Sequence, residues 1–213
     1  MARVTEQTKQ TTRSRLLDAA AEEFARHGVG GANVNTISVS AGLAKGTVYN
    51  YFDSKETLFL AVIEHACGLA AEAARMVPEP ATSRERLRAA VAAEVEWART
   101  HEAFARVLVR ELLTTGTFLY PAVLEAAAPF RARLGEVIED GQRRGGIRTD
   151  LPAEQLGLVL LGLTELALVQ HWGSGGAWPA YREIPDLVAR LFLEGAEPRT
   201  TRPTRSVRTS GRR

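Results

Sequence analysis

The sequence predicts an all-α fold, and three observations carry that prediction. Apolar residues recur every three or four positions along most of the chain, which is the spacing of one helical face. Alanine, leucine, arginine and glutamate dominate the composition, all good helix formers, and no stretch alternates as a strand would. Glycines and prolines cut the chain into helix-sized segments. At 213 residues the chain suffices for one domain or two small ones and can bury a core without staples. Its single cysteine, Cys67, allows no internal disulfide.

The first ten residues are polar and are expected to lack fixed structure. A first helix is expected from Thr12, because Leu16, Ala20 and Phe24 share one face with Leu17 and Ala21 beside them. Gly28 suits the position just past its end. Asn33 is a good cap for a second, two-turn helix with Val34, Ile37 and Ala41 facing inward, and Gly42 closes it. After a tight turn at Leu43-Ala44, residues 45–52 predict a third short helix, with Val48 and Phe52 four apart on its inner side. Ser54 caps a longer fourth helix running to about Met76, and Pro78 and Pro80 mark its exit.

In the second half, Ser83 is expected to cap a helix over 84–100, followed by another over 102–114 that stops at Gly116. A long segment over 121–144 should be split by Pro129 and ended by Gly145-Gly146. Pro152 opens a very apolar helix reaching Trp172, and a last short helix spans about 185–194. Its longest apolar run, Leu156 to Val169, has 14 residues, short of the roughly 20 that a membrane span needs. The polar, charged N-terminus has no apolar run behind it, so a cytoplasmic location and no membrane partner are expected.

Net charge is +2, but six arginines and one acid fall within 196–213, leaving 21 bases against 24 acids elsewhere. The arginine-rich tail cannot bury a core and is expected to be disordered. A basic balance overall therefore says nothing about nucleic acid; a local motif must. His27, His65, His101 and His171 are too far apart for a zinc site, so no metal and no cofactor are expected. Gly28-x-Gly30 lacks the third glycine and the strand of a dinucleotide loop, and Gly173-Ser174-Gly175 lacks the context of a nucleophile elbow. No catalytic set emerges, and no enzyme is expected.

Two short helices joined by a glycine-containing turn, over 33–52, make a helix-turn-helix. The second of them leaves Lys45, Thr47, Tyr49 and Asn50 for solvent or for a duplex. That donor-rich surface suits phosphates and base edges, and Gly46 exposes a backbone N–H to phosphate. The spaced set Ala20, Phe24, Gly28, Asn33, Ile37, Ala41-Gly42-Leu43, Gly46-Thr47, Tyr49, Phe52, Lys55 and Leu58 resembles the N-terminal signature of the tetracycline-repressor (TetR) family.

That resemblance implies a ligand-responsive transcription regulator, most simply a repressor. It implies a DNA-binding domain over 12–58, a helical effector-binding and dimerisation domain over 59–196, and a basic tail over 197–213. It implies that Asn35 and Lys45 read bases, that Thr47 and Tyr49 meet phosphates and the groove with Asn50 on the same surface, and that Lys55 grips a phosphate. Asn33 stands for the family's threonine cap, Val34 for a hydroxyl, and Ser38 for a small alanine, a change that is tolerated if the Ser38 hydroxyl bonds back to a carbonyl. Partners implied are double-stranded DNA with a near-palindromic operator, a second copy of the chain, and an unknown small-molecule effector. Leu158, Leu161, Leu166, Leu187, Leu191 and Phe192, on the last two helices, are the expected dimer seam.

For the effector pocket the candidates are Trp97, His101, Phe104, Glu111, Phe130 and Glu165, with Phe118, Tyr120 and Arg131 nearby in the pattern. Glu165 is a carboxylate in an almost wholly apolar helix. Three uses are open to it: meeting a ligand cation, pairing across a dimer seam, or turning to solvent.

Overall fold

The computed structural model describes residues 6–75, 82–114 and 119–196. The expected proline exit after the fourth helix, Phe118, the stop at Gly116 and the arginine tail lie outside them. Among the described residues there are nine α-helices and no strand. They are α1 (Glu6–Gly31), α2 (Val34–Ser40), α3 (Lys55–Arg75), α4 (Ser83–Thr100), α5 (Glu102–Leu113), α6 (Tyr120–Ala126), α7 (Ala128–Arg143), α8 (Ala153–Gly173) and α9 (Ile184–Ala196).

Helix α1 begins six residues before the expected start. Residues 6–12 are polar and, apart from half-buried Thr12, exposed, so they carry no apolar periodicity, yet Glu6 in the first turn suits the helix dipole. Arg13 and Arg15 consequently stand two turns in, not at the unfavourable N-terminus, and the Arg13 guanidinium lies 5.3 Å from the centre of the Phe52 ring. Leu16, Leu17, Ala20, Ala21 and Phe24 are buried as expected. At Gly28 the backbone turns out of the helix (φ 68°, ψ 171°), and a last turn continues to Gly31.

That kink is held from the body. Arg110 of α5 donates from Nη2 to the Phe24 carbonyl (2.8 Å) and from Nη1 to that of Ala25 (3.4 Å). Glu111 accepts from Arg110 Nε at 3.2 Å. A cation on the terminal carbonyls of a helix satisfies acceptors that the broken ladder leaves free.

The body is built around α3, which packs on α1, α4, α5 and α7; α7 lies on α8, and α4 on α9. Helix α4 is capped one residue earlier than expected. Thr82, not Ser83, accepts from Glu85 N (3.2 Å), and Glu85 Oε2 accepts from Thr82 N (3.0 Å), a reciprocal capping box. Pro129 sits in the first turn of α7 and separates it from α6, as expected. Arg86 of α4 reaches Asp140 of α7 at 2.9 Å, and Arg143 and Arg144 close on the same carboxylate. The bond from Arg143 and the surrounding guanidiniums hold Asp140 below the usual carboxylate range. Helix α9 runs past Gly195 to Ala196.

The expected dimer seam is partly redrawn. Leu161 and Phe192 are buried inside the protomer, and Leu187 is half-buried. Leu158, Leu166 and Leu191 are exposed, joined by Val159 and Val169. Helix α8 is apolar on nearly every side, so one face fills the core and the other is left over. The length argument against a span is also corrected. Helices α3 and α8, at 21 residues each, are long and apolar enough to cross a membrane; here 50% and 44% of their apolar windows are buried against other helices.

Replacing Arg110 with methionine keeps the aliphatic stem but frees the carbonyls of Phe24 and Ala25. Hydrogen exchange at the last turns of α1 should accelerate at least tenfold while amides of α7 and α8 stay protected. Uniform acceleration through both regions would show that the contact does not act locally.

Candidate nucleic-acid interface

The surface over 33–55 is fixed from beneath. Asn33 caps α2, its side chain accepting from Asn35 N at 2.9 Å, while its own N–H donates to buried Glu23 of α1 at 3.0 Å. Ile37, Ser38, Ala41, Val48 and Phe52 are buried. The Ser38 hydroxyl is accommodated by another bond than one back along α2. It accepts from Val48 N at 3.3 Å, tying α2 to the segment that follows the turn. An alanine in its place would leave that buried N–H unpaired.

The expected third helix over 45–52 is a single 3₁₀ turn, Thr47–Asn50. Gly46 precedes it in the left-handed region (φ 79°), which a side chain disfavours and which breaks the ladder at the point where an α-helix would have to begin. Only the Phe52 N to Val48 O bond (3.0 Å) is of the α type. The phosphate-attracting helix end expected at Gly46 is therefore not formed, since one short turn sums little dipole.

The side chains are nevertheless largely open to solvent. Asn35, Lys45, Tyr49 and Asn50 are exposed, and Gly46 and Thr47 are half-buried beside them. Tyr49 is 55% exposed, too open for an ordinary core aromatic. Lys55, at the start of α3, stands at the edge of this surface and has a second occupation. Its ammonium donates to the carbonyls of Gly30 (3.1 Å) and Ala32 (3.4 Å), closing the end of α1. A groove of about 840 Å³ adjoins Thr47 and Asn50 and is walled by Lys9, Gln10 and Arg13 of α1. The extra turns of α1 thus add Lys9 to the groove beside Arg13, which a search for apolar periodicity could not find.

The six effector candidates are not gathered in one pocket. His101, at the α4–α5 junction, and Phe104 line an open cleft of about 510 Å³ against α1, where Thr100 Oγ1 lies 3.0 Å from His101 Nδ1. Phe104 is buried with its ring near His65, 5.2 Å between centroids, and burial lowers the His65 pKa. Glu111 is committed to Arg110. Tyr120 begins α6 and is half-buried, and Arg131 donates to the Leu124 carbonyl at 3.1 Å.

Phe130 lines a mostly enclosed cavity of about 60 Å³ between α3, α4 and α7. Trp97 is buried with its indole N–H unpartnered. Glu165 is buried, which pushes its pKa up to about 8. Beside it lies an acid that the sequence reasoning missed. Glu94 of α4 is buried and lines the same cavity as Phe130; burial first, then the Glu165 charge, raises its pKa well above the usual value. It falls on the buried face of α4 with Leu87, Ala90, Val91 and Ala98, so the reasoning that singled out Glu165 applies to it equally. Burial also raises the Cys67 thiol to about 12, so it is no nucleophile. Among the described residues no group of three or more His, Cys, Asp or Glu is placed to hold a metal.

Comparison with known proteins matches this division of labour. A family model described as bacterial regulatory proteins, tetR family, matches residues 16–62, and one described as tetracyclin repressor-like, C-terminal domain, matches residues 80–196. The HTH-type transcriptional repressor KstR2 of Rhodococcus jostii is 30% identical over 87% of this chain and 89% of its own. The fatty acid degradation regulator FadR from Bacillus halodurans superposes with TM-score 0.76 at 23% identity, covering 86% of this chain and 95% of its own. FadR from Bacillus subtilis, solved in complex with stearoyl-CoA, gives 0.75 at 22% identity, covering 85% and 98%.

The raised acid gives a pH signature. An unfolded Glu165 ionises near 4.5, whereas the folded one keeps its proton until about 8. Its contribution to stability is therefore complete below 4.5 and is lost as pH rises through about 8. Glu165→Gln should leave stability at pH 4 nearly unchanged and raise it at pH 9 by a few kcal/mol, on the order expected for such a shift. Urea melts of both proteins across that range check it; parallel pH profiles would show that Glu165 ionises normally.

Proposed function

Since the chain belongs to the tetR family of bacterial regulatory proteins, we propose that it represses transcription by binding a near-palindromic operator as a homodimer, and that a small molecule in its helical body releases it. It is a DNA-binding transcriptional regulator, and it works in the cytoplasm with its DNA. The observation that carries the assignment is the exposed face of Asn35, Lys45, Thr47, Tyr49 and Asn50, mounted on a buried Ser38–Val48 bond. Rigid mounting is what base reading requires, because a donor must meet one base edge and miss the others. Asn35 and Lys45 read bases, Thr47, Tyr49 and Asn50 meet phosphate and groove with the Gly46 backbone at close approach, and Lys55 meets a phosphate at the edge.

The leftover apolar face supports the dimer. Leu158, Val159, Leu166 and Val169 of α8 and Leu191 of α9 are exposed on two helices that pack on one another, Leu166 and Leu191 by 55% and 48%. Two such faces cover one another as a four-helix bundle. Two-fold symmetry then presents two reading faces, and half-sites about one DNA turn apart, about 34–36 Å, follow from it. An effector releases the operator if it binds better to the conformation whose faces are wrongly spaced. That a Bacillus subtilis regulator of this fold was solved with stearoyl-CoA supports a small-molecule ligand without identifying this one.

Selection of bound duplexes from a random pool should return two inverted half-sites. On that operator, Asn35→Ala and Lys45→Ala should each lose about 1–3 kcal/mol of discrimination at particular positions. Lys55→Ala should weaken operator and random duplex alike and lower the salt slope by about one phosphate contact. Loss of discrimination at a single position in Lys55→Ala would contradict its assignment.

Leu191→Glu places a charge in each half of the seam without disturbing the protomer core. Light scattering should show a monomer at micromolar concentration, and affinity for the full operator should fall to that for a half-site. A monomeric variant that still held the full operator as tightly as the parent would refute two-fold recognition.

A further inference from the structure

Glu94 and Glu165 are used by nothing else in the protein. They are 8% and 4% exposed, and neither carboxyl has a hydrogen-bonding or ionic partner among the described residues. An unpartnered acid in a core is costly, and two that face each other more so. A core selected for stability alone would hold leucine or glutamine at these positions.

Glu94 opens onto the enclosed cavity between α3, α4 and α7. The wall supplied by α3 is Ala70 and Ala74, with Ala90, Phe130, Leu134 and Val137 completing the apolar lining. Two arginines border the cavity, and each already bonds a carboxylate, Arg86 one that it shares with Arg143 and Arg144. Arg86 is bonded to Asp140 at 2.9 Å, and Arg133 pairs with Glu136. Glu165 approaches from α8, and α3 adds no charged group to the wall. The cavity is therefore lined mainly by small and aromatic side chains, with Glu94 the acid that lacks a partner and the buried Nε–H of Arg133 a donor that lacks an acceptor.

From this arrangement we propose that the helical body takes a lipophilic organic cation, an amine on an apolar skeleton, with Glu94 as its counter-ion and Glu165 behind it. The proposal rests on the reading that the body holds the effector, and it names the effector's chemical class. An ammonium group supplies a positive charge and donors for the carboxyl oxygens. A carboxylate, phosphate or acyl thioester carrying phosphates would meet two acids, and an alcohol would supply one hydrogen bond and no charge. The cavity of about 60 Å³ admits the head and the first carbons. A longer skeleton separates α7 from α3 and α4. Helix α3 runs without a break from that wall to Lys55 at the reading face, so the site is joined to the DNA unit by one element.

Binding also has a proton balance. In the empty protein burial first, then Glu165, favour the protonated form of the Glu94 carboxyl. When the ammonium, already protonated in water, enters, Glu94 ionises to pair with it, and one proton leaves to solvent for each cation bound. No bond to carbon changes.

Decylamine, decanol and decanoate share one apolar skeleton and differ in head charge. Titrated into the full-length protein by calorimetry and tryptophan fluorescence, decylamine should bind at least tenfold more tightly than decanol, and decanoate most weakly. Calorimetry in buffers of different ionisation enthalpy should read about one proton released per decylamine at neutral pH and none for decanol. Glu94→Gln should abolish both the proton release and the preference for decylamine while retaining decanol; Glu139→Gln, an exposed acid on α7, should change neither.

Decanol or decanoate binding as tightly as decylamine, binding of none of the three, or a preference unchanged in Glu94→Gln would each overturn the cation site. Wild-type proton release keeps the test independent of how the variant folds. Gel shifts on the selected operator separate the two claims. Operator release by decanoate or decanoyl-CoA but not decylamine would overturn the cation and keep the effector. Glu94-dependent decylamine binding that leaves the operator complex intact would keep the cation site and overturn its role as effector.

Discussion

Phe24 and Phe59 meet edge to face, 5.2 Å between ring centres, and both are fully buried. This contact joins α1 to α3, and nearly everything else hangs from it. The two-turn α2 and the single turn after it are too short to persist alone. They exist because α1 and α3 together offer a floor for Ile37, Val48 and Phe52. Arg110 binds the same end of α1 to the body through carbonyls of Phe24 and Ala25, so the reading face is coupled to α5 at the residue that makes the aromatic contact. Loosening that junction would free the DNA unit from whatever the body senses.

The body shows the opposite economy. Its outer helices are clamped by bonded charges such as Arg86–Asp140 and Arg88–Asp186, while its centre holds two acids with nothing to bond. A protein that must change shape when a ligand arrives needs such a soft place, and a void walled by alanine with an unsatisfied acid provides it.

Much of this was legible in the residues. The buried faces of α1 and α2, the Asn33 cap, the split at Pro129 and the inward Val48 and Phe52 follow from spacing and local chemistry alone. Three features were not. The first turns of α1 are polar and largely exposed, so no periodicity marks them, although their propensity is good. The 3₁₀ turn at Thr47 depends on Gly46 adopting a positive φ and on Ser38 ten residues earlier, a tertiary bond that no local pattern encodes. The effector candidates were chosen by residue type, and the fold scattered them: Glu111 went to a junction, His101 to an open cleft, and only Phe130 and Glu165 came near the cavity and its acid. Sequence shows which side chains are unusual, but not which helices turn toward one another.

Helix α3 is 21 residues long without interruption, about 30 Å from end to end. A rod of that length is a lever. Pivoted near Phe59, close to the reading face, a tilt of about 5° displaces its far end by roughly 2 Å, the scale of a side-chain contact. Run in reverse, a ligand that pushes the far end by one methylene's width rotates the reading face by only a few degrees. In the proposed dimer, on half-sites a DNA turn apart, those few degrees would double into a misfit that no rotamer change can absorb. The rigidity of one helix thus sets how small a molecule can be and still be noticed.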